Sequence, residues 1–536
     1  MGADPKDIQL TELKDIIKEL NNTIKELQAM LKEEREQNAV LKEQLELLTK
    51  KLFGKKSEKT APWPGQMDIY GLMDPDHNTD IDVEDSFVEY EEVIVKRPKK
   101  NKRTYEETFK GIPTEEVIID ELPEEERICP ECGSELVPVG KELKRKELKF
   151  IPAKLKVIEY YAVTYGCPVC SKEGERAVFV KAQVPPPLIP HSYASADTVS
   201  WAMYQKFANG VPGYRQEKDW EQYGAKIHRN TLANWIIFCS DKYLKPLYEF
   251  FRRKLLERDF LMADETRIQV LKEPERNPET DSFMWLFRTG EDGKDPVIIY
   301  KYTQTRAKYN AKDFLEGWSG YLEADGYQGY NNLPGVKRCS CWAHLRRYYS
   351  DAIPQGREKD MTCPAVQGVV YCNKLFNEER ISREKGENYK QRYERRLKKE
   401  KPIIDAFFAW LDRQHPVKGS RMYAAVNYTY NRKEDLVRYL EDGRCSFSNN
   451  LAENAIRPFT LGRKNWLFAD TPEGAEANAI VYTMVEMARA YGLNIFEYLK
   501  YVLDKRPDKE WTDEQLEEAA PWNEEVKLKC KGSGCR

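Results

Sequence analysis

Three acids of this 536-residue chain are placed so that they could share one task. Asp264 lies within Asp259-Phe-Leu-Met-Ala-Asp264-Glu265-Thr-Arg-Ile-Gln-Val-Leu271, directly after an apolar run. Asp325 ends Gly320-Tyr-Leu-Glu-Ala-Asp325, just before Gly326. Glu453 comes much later, in Asn449-Asn450-Leu451-Ala-Glu453-Asn-Ala-Ile-Arg457-Pro458. A carboxylate carried in a buried strand is costly unless a partner or a cation neutralises it. Three carboxylates at one point suit Mg²⁺ or Mn²⁺, which take oxygen ligands and leave positions for water and phosphate. Two such ions about 4 Å apart can hold both the attacking and the leaving oxygen of an in-line phosphoryl displacement. The chain has 89 acids, so no single one is diagnostic. Glu453 and Arg457 also read as an ordinary i,i+4 pair. The stronger signal is the order of the elements that carry these acids.

Phe260 to Ala263 is apolar and alternation resumes at Ile268 and Val270, which reads as a buried strand. Ser282 to Phe287 and Pro296 to Tyr302 read as two more strands, joined by the turn Gly290-Glu-Asp-Gly293. Ala307 to Trp318 has helical spacing, and Gly320 to Asp325 returns as a short strand. Three strands, a helix and a strand is the order of a ribonuclease-H-like sheet. In that arrangement the first and fourth strands are neighbours, so Asp264 and Asp325 would face each other. The third acid should come from a late helix, for which Asn450 is a candidate cap. Asp325 and Glu453 are 128 positions apart, more than such a sheet needs, so residues 350–445 read as a helical insertion. Arg380 to Lys401 holds ten basic and four acidic residues, which fits either a DNA-tracking face or a solubilising one. Arg346, Arg457, Arg463 and Lys464 lie close in sequence to the acidic motifs and are candidate phosphate contacts.

Other residue groups indicate further modules. Cys129-Pro-Glu-Cys132 and Cys167-Pro-Val-Cys170 are two CxxC knuckles with 34 residues between them, the pattern of a closed tetrahedral Zn²⁺ site. A redox-active CxxC would not explain why there are two. Cys341 and His344 also have metal-ligand spacing, but no further ligand is evident nearby in sequence. A supporting role beside the acids, or in a core helix, is the better reading. Three helices over 197–239 are punctuated by Gly210, Gly213 and Gly224. They fit a helix-turn-helix-like unit in which Arg229, Asn230 and Asn234 approach DNA, or equally a plain helical packing domain.

Residues 8–52 carry thirteen core positions in strict three-four spacing, of which eleven are apolar, with Asn38 at an a position. That pattern predicts a coiled coil and a homo-oligomer, most simply a dimer. A single amphipathic helix packed on its own protein is the rival.

Length alone requires several domains. The expected class is a multidomain α/β protein: coiled coil 8–52, linker 53–126, zinc-binding ribbon 127–184, and helical DNA-binding domain 190–258. The ribonuclease-H-like catalytic core then spans 259–349 and 446–510, interrupted by the insertion 350–445 and followed by a tail 511–536. The net charge of −3 shows no global nucleic-acid signature, so any basic surface is local. No run of eighteen apolar residues and no apolar signal core is present, which points to a cytoplasmic protein with reduced thiols and no membrane partner.

The strings ADETRIQV, YLEADGYQGYNNL, CWAHLRRYY and NNLAENAIRPFTLGRKNWLF resemble the catalytic core of the insertion-sequence sixty-six family of bacterial DDE transposases, the TnpC type. The resemblance runs over nearly the whole chain and includes the zinc module and the Cys-x-x-His pattern. It implies that Asp264, Asp325 and Glu453 are the DDE triad, that double-stranded transposon-end and target DNA are the substrates, and that small accessory transposition proteins act alongside. It further implies strand cleavage at transposon ends followed by attack of the freed 3′-hydroxyl on target DNA. The alternative is a zinc-ribbon and helix-turn-helix DNA-binding protein with an inactive nuclease-like domain.

Overall fold

The computed structural model describes residues 18–31, 34–35, 37–38, 41–42, 155–166, 179–181 and 183–531. Cys129, Cys132, Cys167 and Cys170, the linker 53–126, and most of the expected ribbon and coiled coil lie outside the described residues. The chain divides into two compact units, Met1–Val93 with Lys245–Met487, and Ile94–Leu244 with Ala488–Arg536.

In the second unit, strands β1 (Thr164–Gly166) and β2 (Phe179–Lys181) pair antiparallel. Three helices follow: α1 (Ala196–Phe207), α2 (Gly213–Gln222) and α3 (Arg229–Cys239). Ser195 and Thr198 form a reciprocal capping box that starts α1. Val199, Met203, Phe207, Trp220, Leu232 and Trp235 are buried where these helices meet. The turn into α3 passes through Gly224 at φ +89°, a conformation a side chain would disfavour.

The first unit opens with α4 (Lys245–Leu256), which leads into the long strand β3 (Phe260–Val270). β4 (Asp281–Thr289) and β5 (Ile298–Thr303) continue as an antiparallel meander. After α5 (Lys308–Phe314), β6 (Gly320–Ala324) returns beside β3 and parallel to it, and β7 (Val336–Ser340) extends the parallel side. The sheet order is β5-β4-β3-β6-β7. β3 is buried on both faces from Phe260 to Ala263 and alternates only beyond Asp264. The fully buried half is the half that runs between β4 and β6.

The helical segment begins with α6 (Trp342–Asp351) and α7 (Pro364–Glu384), followed by α8 (Tyr389–Arg395), α9 (Lys401–Leu411), α10 (Arg421–Tyr430) and α11 (Lys433–Val437). Trp342, Tyr349, Leu375, Phe407, Tyr439 and Phe447 form its core, which continues into the sheet through Phe260 and Cys339. The basic run Arg380 to Lys401 is split: Arg392, Arg395 and Arg396 turn inward, while the other seven basic residues are exposed. Arg396 is fully buried; it donates to Glu379 at 2.6 Å and to the carbonyls of Tyr439, Asp442 and Cys445, each at 3.0 Å. Arg392 and Arg395 pair with Glu379, Glu378 and Glu387.

The chain then returns through α12 (Asn450–Trp466), which packs on β3 and β4, and β8 (Phe468–Ala469), which pairs with the far end of β3. α13 (Pro472–Ala490) covers the edge strand β5, whose Tyr300 amide donates to the Thr483 hydroxyl at 2.9 Å. In the second unit, α14 (Ile495–Lys505) packs on α1, with Trp201 and Phe496 edge to face at 5.7 Å.

Three expected boundaries differ, the first being that residues 488–510, expected in the second part of the core, fall in the other unit. The helix before β3, expected with the preceding helical domain, falls in the sheet unit, where Tyr248 and Arg252 of α4 donate to the carbonyls of Tyr300 and Phe314. Residues 511–531, expected as part of a polar tail, carry secondary structure. They form α15 (Asp513–Glu518) and α16 (Glu524–Lys529), with Leu516, Ala520, Val526 and Cys530 buried. Among the described residues no helix is long and apolar enough to cross a membrane.

Candidate active site

The position of the two aspartates follows from strand register. Phe260, Leu261 and Met262 of β3 lie opposite Tyr321, Leu322 and Glu323 of β6, a constant offset of 61. Asp264 and Asp325 are separated by the same 61 positions, so continuing the register places them side by side. Asp325 falls one residue beyond β6, and its Oδ1 accepts the Tyr327 amide at 2.9 Å. Gly326 follows without a positive φ. Its role is clearance: a Cβ there would lie 2.7 Å from the Tyr428 ring and 3.0 Å from the Arg432 guanidinium.

Glu453 comes from the first turn of α12. The N-terminus of that helix is fixed by Asn449, which is fully buried. Its side-chain amide donates to the Ala263 carbonyl at 3.0 Å, and its backbone amide donates to the Cys341 sulfur at 3.1 Å. Asn449 therefore ties β3, α6 and α12 together one residue from Asp264. Asn450, the expected cap, is the first helical residue instead.

The acids repel one another electrostatically. Burial holds the Asp264 carboxyl well above the usual carboxylate range, and repulsion from Glu265, Glu453 and Asp325 pushes it further up. Glu265 was not singled out from sequence. Its side chain is 1% exposed, and it accepts hydrogen bonds from Arg306 and the Tyr330 hydroxyl. Burial and Asp325 also raise its pKa. Glu265 thus has partners of its own, whereas among the described residues the Asp264 side chain accepts from the Glu265 backbone amide alone, at 2.9 Å.

The remaining candidates divide between the two units. Arg457 lies one turn beyond Glu453 and interacts with it electrostatically, and its Nη1 is buried with no hydrogen-bond partner. Arg463 reaches the Thr266 hydroxyl at 3.3 Å, and Lys464 is exposed further along α12. Arg346 turns inward and donates to Asn373 at 2.7 Å, tying α6 to α7. Cys341 caps α6, and His344 Nδ1 lies 3.6 Å from Glu453 Oε1. Arg229, Asn230 and Asn234 are exposed on α3, in the other unit. Beside Asp325 a cleft of about 390 Å³ is lined by Arg306, Tyr327, His344, Tyr348, Tyr428 and Arg432. Arg306 stacks over Tyr327 at 3.8 Å and Arg432 over Tyr428 at 4.1 Å.

With this geometry in place, comparison with known proteins is informative. The family described as "Transposase IS66 family" matches residues 191–477, more than half of the chain. The chain belongs to the IS66 transposase family. The "zinc-finger binding domain of transposase IS66" matches residues 126–171, a span that contains all four CxxC cysteines. The family described as "Transposase C of IS166 homeodomain" matches residues 40–127, which covers the end of the heptad pattern and the stretch read as linker. Among curated relatives, the chain is 28% identical to the uncharacterized protein y4qI of Sinorhizobium fredii over 425 residues, 76% of this chain and 75% of that one. It is 25% identical to y4hP of the same organism over 505 residues, 89% of this chain and 87% of the relative.

Proposed function

We propose that this transposase cuts DNA at the ends of its mobile element and joins the freed 3′-hydroxyl to target DNA, using Asp264, Asp325 and Glu453 around divalent cations in a ribonuclease-H-like core. One observation carries the reading: an aspartate within β3 is repelled by Glu265 beside it and by two carboxylates from elsewhere, one on a late helix and one just beyond the neighbouring strand. Such a set is unfavourable alone and suited to a hard cation, so the donors fit Mg²⁺ or Mn²⁺. When bound there, such ions polarise the scissile phosphate and lower the pKa of the attacking water or hydroxyl.

The side chains around the acids fit the rest of the task. Arg457 brings a cation next to Glu453 with a donor free for a phosphate oxygen. Arg306 and Arg432, each stacked on a tyrosine, flank the cleft where a DNA backbone would enter. Asn449 keeps α12 in register with β3, so Glu453 reaches the same point as Asp264. Glu265, held by Arg306 and Tyr330, positions β3 without competing for the cation. Arg463 and Lys464 extend the positive side of α12 along the DNA path, while Arg229, Asn230 and Asn234 on α3 engage duplex DNA. Cys129, Cys132, Cys167 and Cys170 hold a structural Zn²⁺, and residues 8–52 pair two copies. Small accessory proteins act at the same DNA ends.

The test is nicking of duplex carrying the element's terminal repeats, with Mg²⁺ and then with a chelator. Wild type should cut and Asp264→Ala should not, with DNA affinity nearly intact. Specific binding without cleavage under any divalent metal would instead support a DNA-binding protein with an inactive nuclease-like domain.

A further inference from the structure

We propose that Cys341, His344 and Glu453 form a second and softer cation site, suited to Zn²⁺, and that Glu453 is shared between it and the Asp264–Asp325 pair. One ligand atom from each of the three residues lies within 4.8 Å of the other two. His344 Nδ1 and Glu453 Oε1 are 3.6 Å apart, too far for a hydrogen bond. Two ligands on one tetrahedral zinc ion stand roughly 3.3–3.6 Å apart, given the usual bond lengths. Both atoms are buried and neither has a hydrogen-bond partner. Buried polar atoms are nearly always satisfied, so a facing pair of orphans at ligand spacing needs an occupant.

The donor types choose that occupant. A thiol and an imidazole are poor ligands for Mg²⁺ and good ones for Zn²⁺. A thiolate, a neutral imidazole and a carboxylate together balance the charge of the ion. The sulfur is already held in place, since it accepts the Asn449 amide at 3.1 Å. Asn449 is itself anchored on Ala263, the kind of outer support that ligands of bound metals have. His344 also lines the cleft, so the fourth position opens toward water or a phosphate oxygen.

A consequence follows, and it rests on the function proposed above. Glu453 cannot serve both cations fully. Zinc on Cys341 and His344 draws that carboxylate away from Asp264 and Asp325, so zinc acts as a reversible brake on cleavage.

The experiment uses the full-length protein with one equivalent of zinc already bound at its cysteine knuckles, titrated with Co²⁺. One further equivalent should bind and give a thiolate-to-cobalt charge-transfer band. That band should be lost in Cys341→Ser and in His344→Gln, and kept in Asp264→Asn. The histidine is partly exposed, so its variant guards against misfolding of the cysteine variant, with thermal melts as the check. Identical cobalt uptake and spectra in wild type and both variants would overturn the site. In Mg²⁺, added Zn²⁺ should suppress nicking at least tenfold, and a chelator should restore it. Nicking that ignores zinc while the cobalt site is filled would overturn the sharing of Glu453. If nicking is absent altogether, the proposed function fails while the cobalt titration still decides this site.

Discussion

At the scale of single residues the site is defined by an unfavourable interaction. Asp264 is half-buried among like charges, and desolvation and those charges hold its carboxyl well above its ordinary range. An acid whose folded pKa exceeds its unfolded one, about 3.9 for Asp, stabilises the fold fully only below that unfolded value. The contribution fades as pH rises toward the raised folded pKa. Without divalent cations the protein should therefore lose stability from about pH 4 toward neutrality. Asp264→Asn should flatten that profile and raise the melting temperature at neutral pH by a few degrees. The same change should reduce nicking by about 10³-fold or more, since a lost cation ligand removes several kcal/mol of charge stabilisation. Melts across pH with and without Mg²⁺, beside a nicking assay, check both halves. A variant less stable than wild type at neutral pH would contradict the repulsion argument. The strand placement of the two aspartates was legible in sequence, because Asp264 follows the apolar run Phe260 to Ala263 and Asp325 precedes a glycine. Asn449 was not, because its work is a side-chain bond to a backbone carbonyl 186 positions away, which leaves no local pattern.

At the scale of elements, the strand order was readable and the interior of the insertion was not. Alternation and turn residues mark the strands, whereas a basic helix looks the same whether it faces solvent or a buried carboxylate. Arg396 is the inward case: it has no exposed surface and links α7 to the segment between α11 and α12 through Glu379 and three carbonyls. Removing one partner of a buried pair costs about 3–5 kcal/mol, because the other charge is left unpaired. Arg396→Ala should lose about that much in denaturant unfolding. Arg396→Lys should recover little, since an ammonium cannot reproduce the planar fork. Full rescue by lysine would show that only the charge matters. The seam between sheet and insertion has its own probe in Gly326, where a Cβ would meet Tyr428 at 2.7 Å. Gly326→Ala should destabilise by about 1–3 kcal/mol, the usual cost of overpacking. Because Tyr428 and Arg432 line the cleft beside Asp325, it should also weaken DNA cleavage more than DNA binding. Equal losses in both would place the cleft outside the reaction.

For the whole molecule, the question is how one chain handles two DNA ends, and the N-terminal heptads offer an answer. Leu20, Ile24, Leu27 and Leu31 follow three-four spacing on a described helix, and each is about half exposed. Burying an apolar side chain of this size stabilises by about 1.5–3 kcal/mol, so a stripe of them is expensive to leave in water. A second copy laid along the stripe removes that cost, and Asn38 can set the register of the pair. The net charge of −3 offers little general repulsion between copies. Ile24→Lys with Leu31→Lys should therefore convert a dimer to a monomer, as read by light scattering of the full chain at fixed concentration. The sheet and its acids lie elsewhere in sequence, so the double variant should still nick a single transposon end while joining of two ends falls steeply. A double variant that remains dimeric would move the interface away from the heptads. One that is monomeric yet joins ends at the normal rate would remove the reason for pairing two copies.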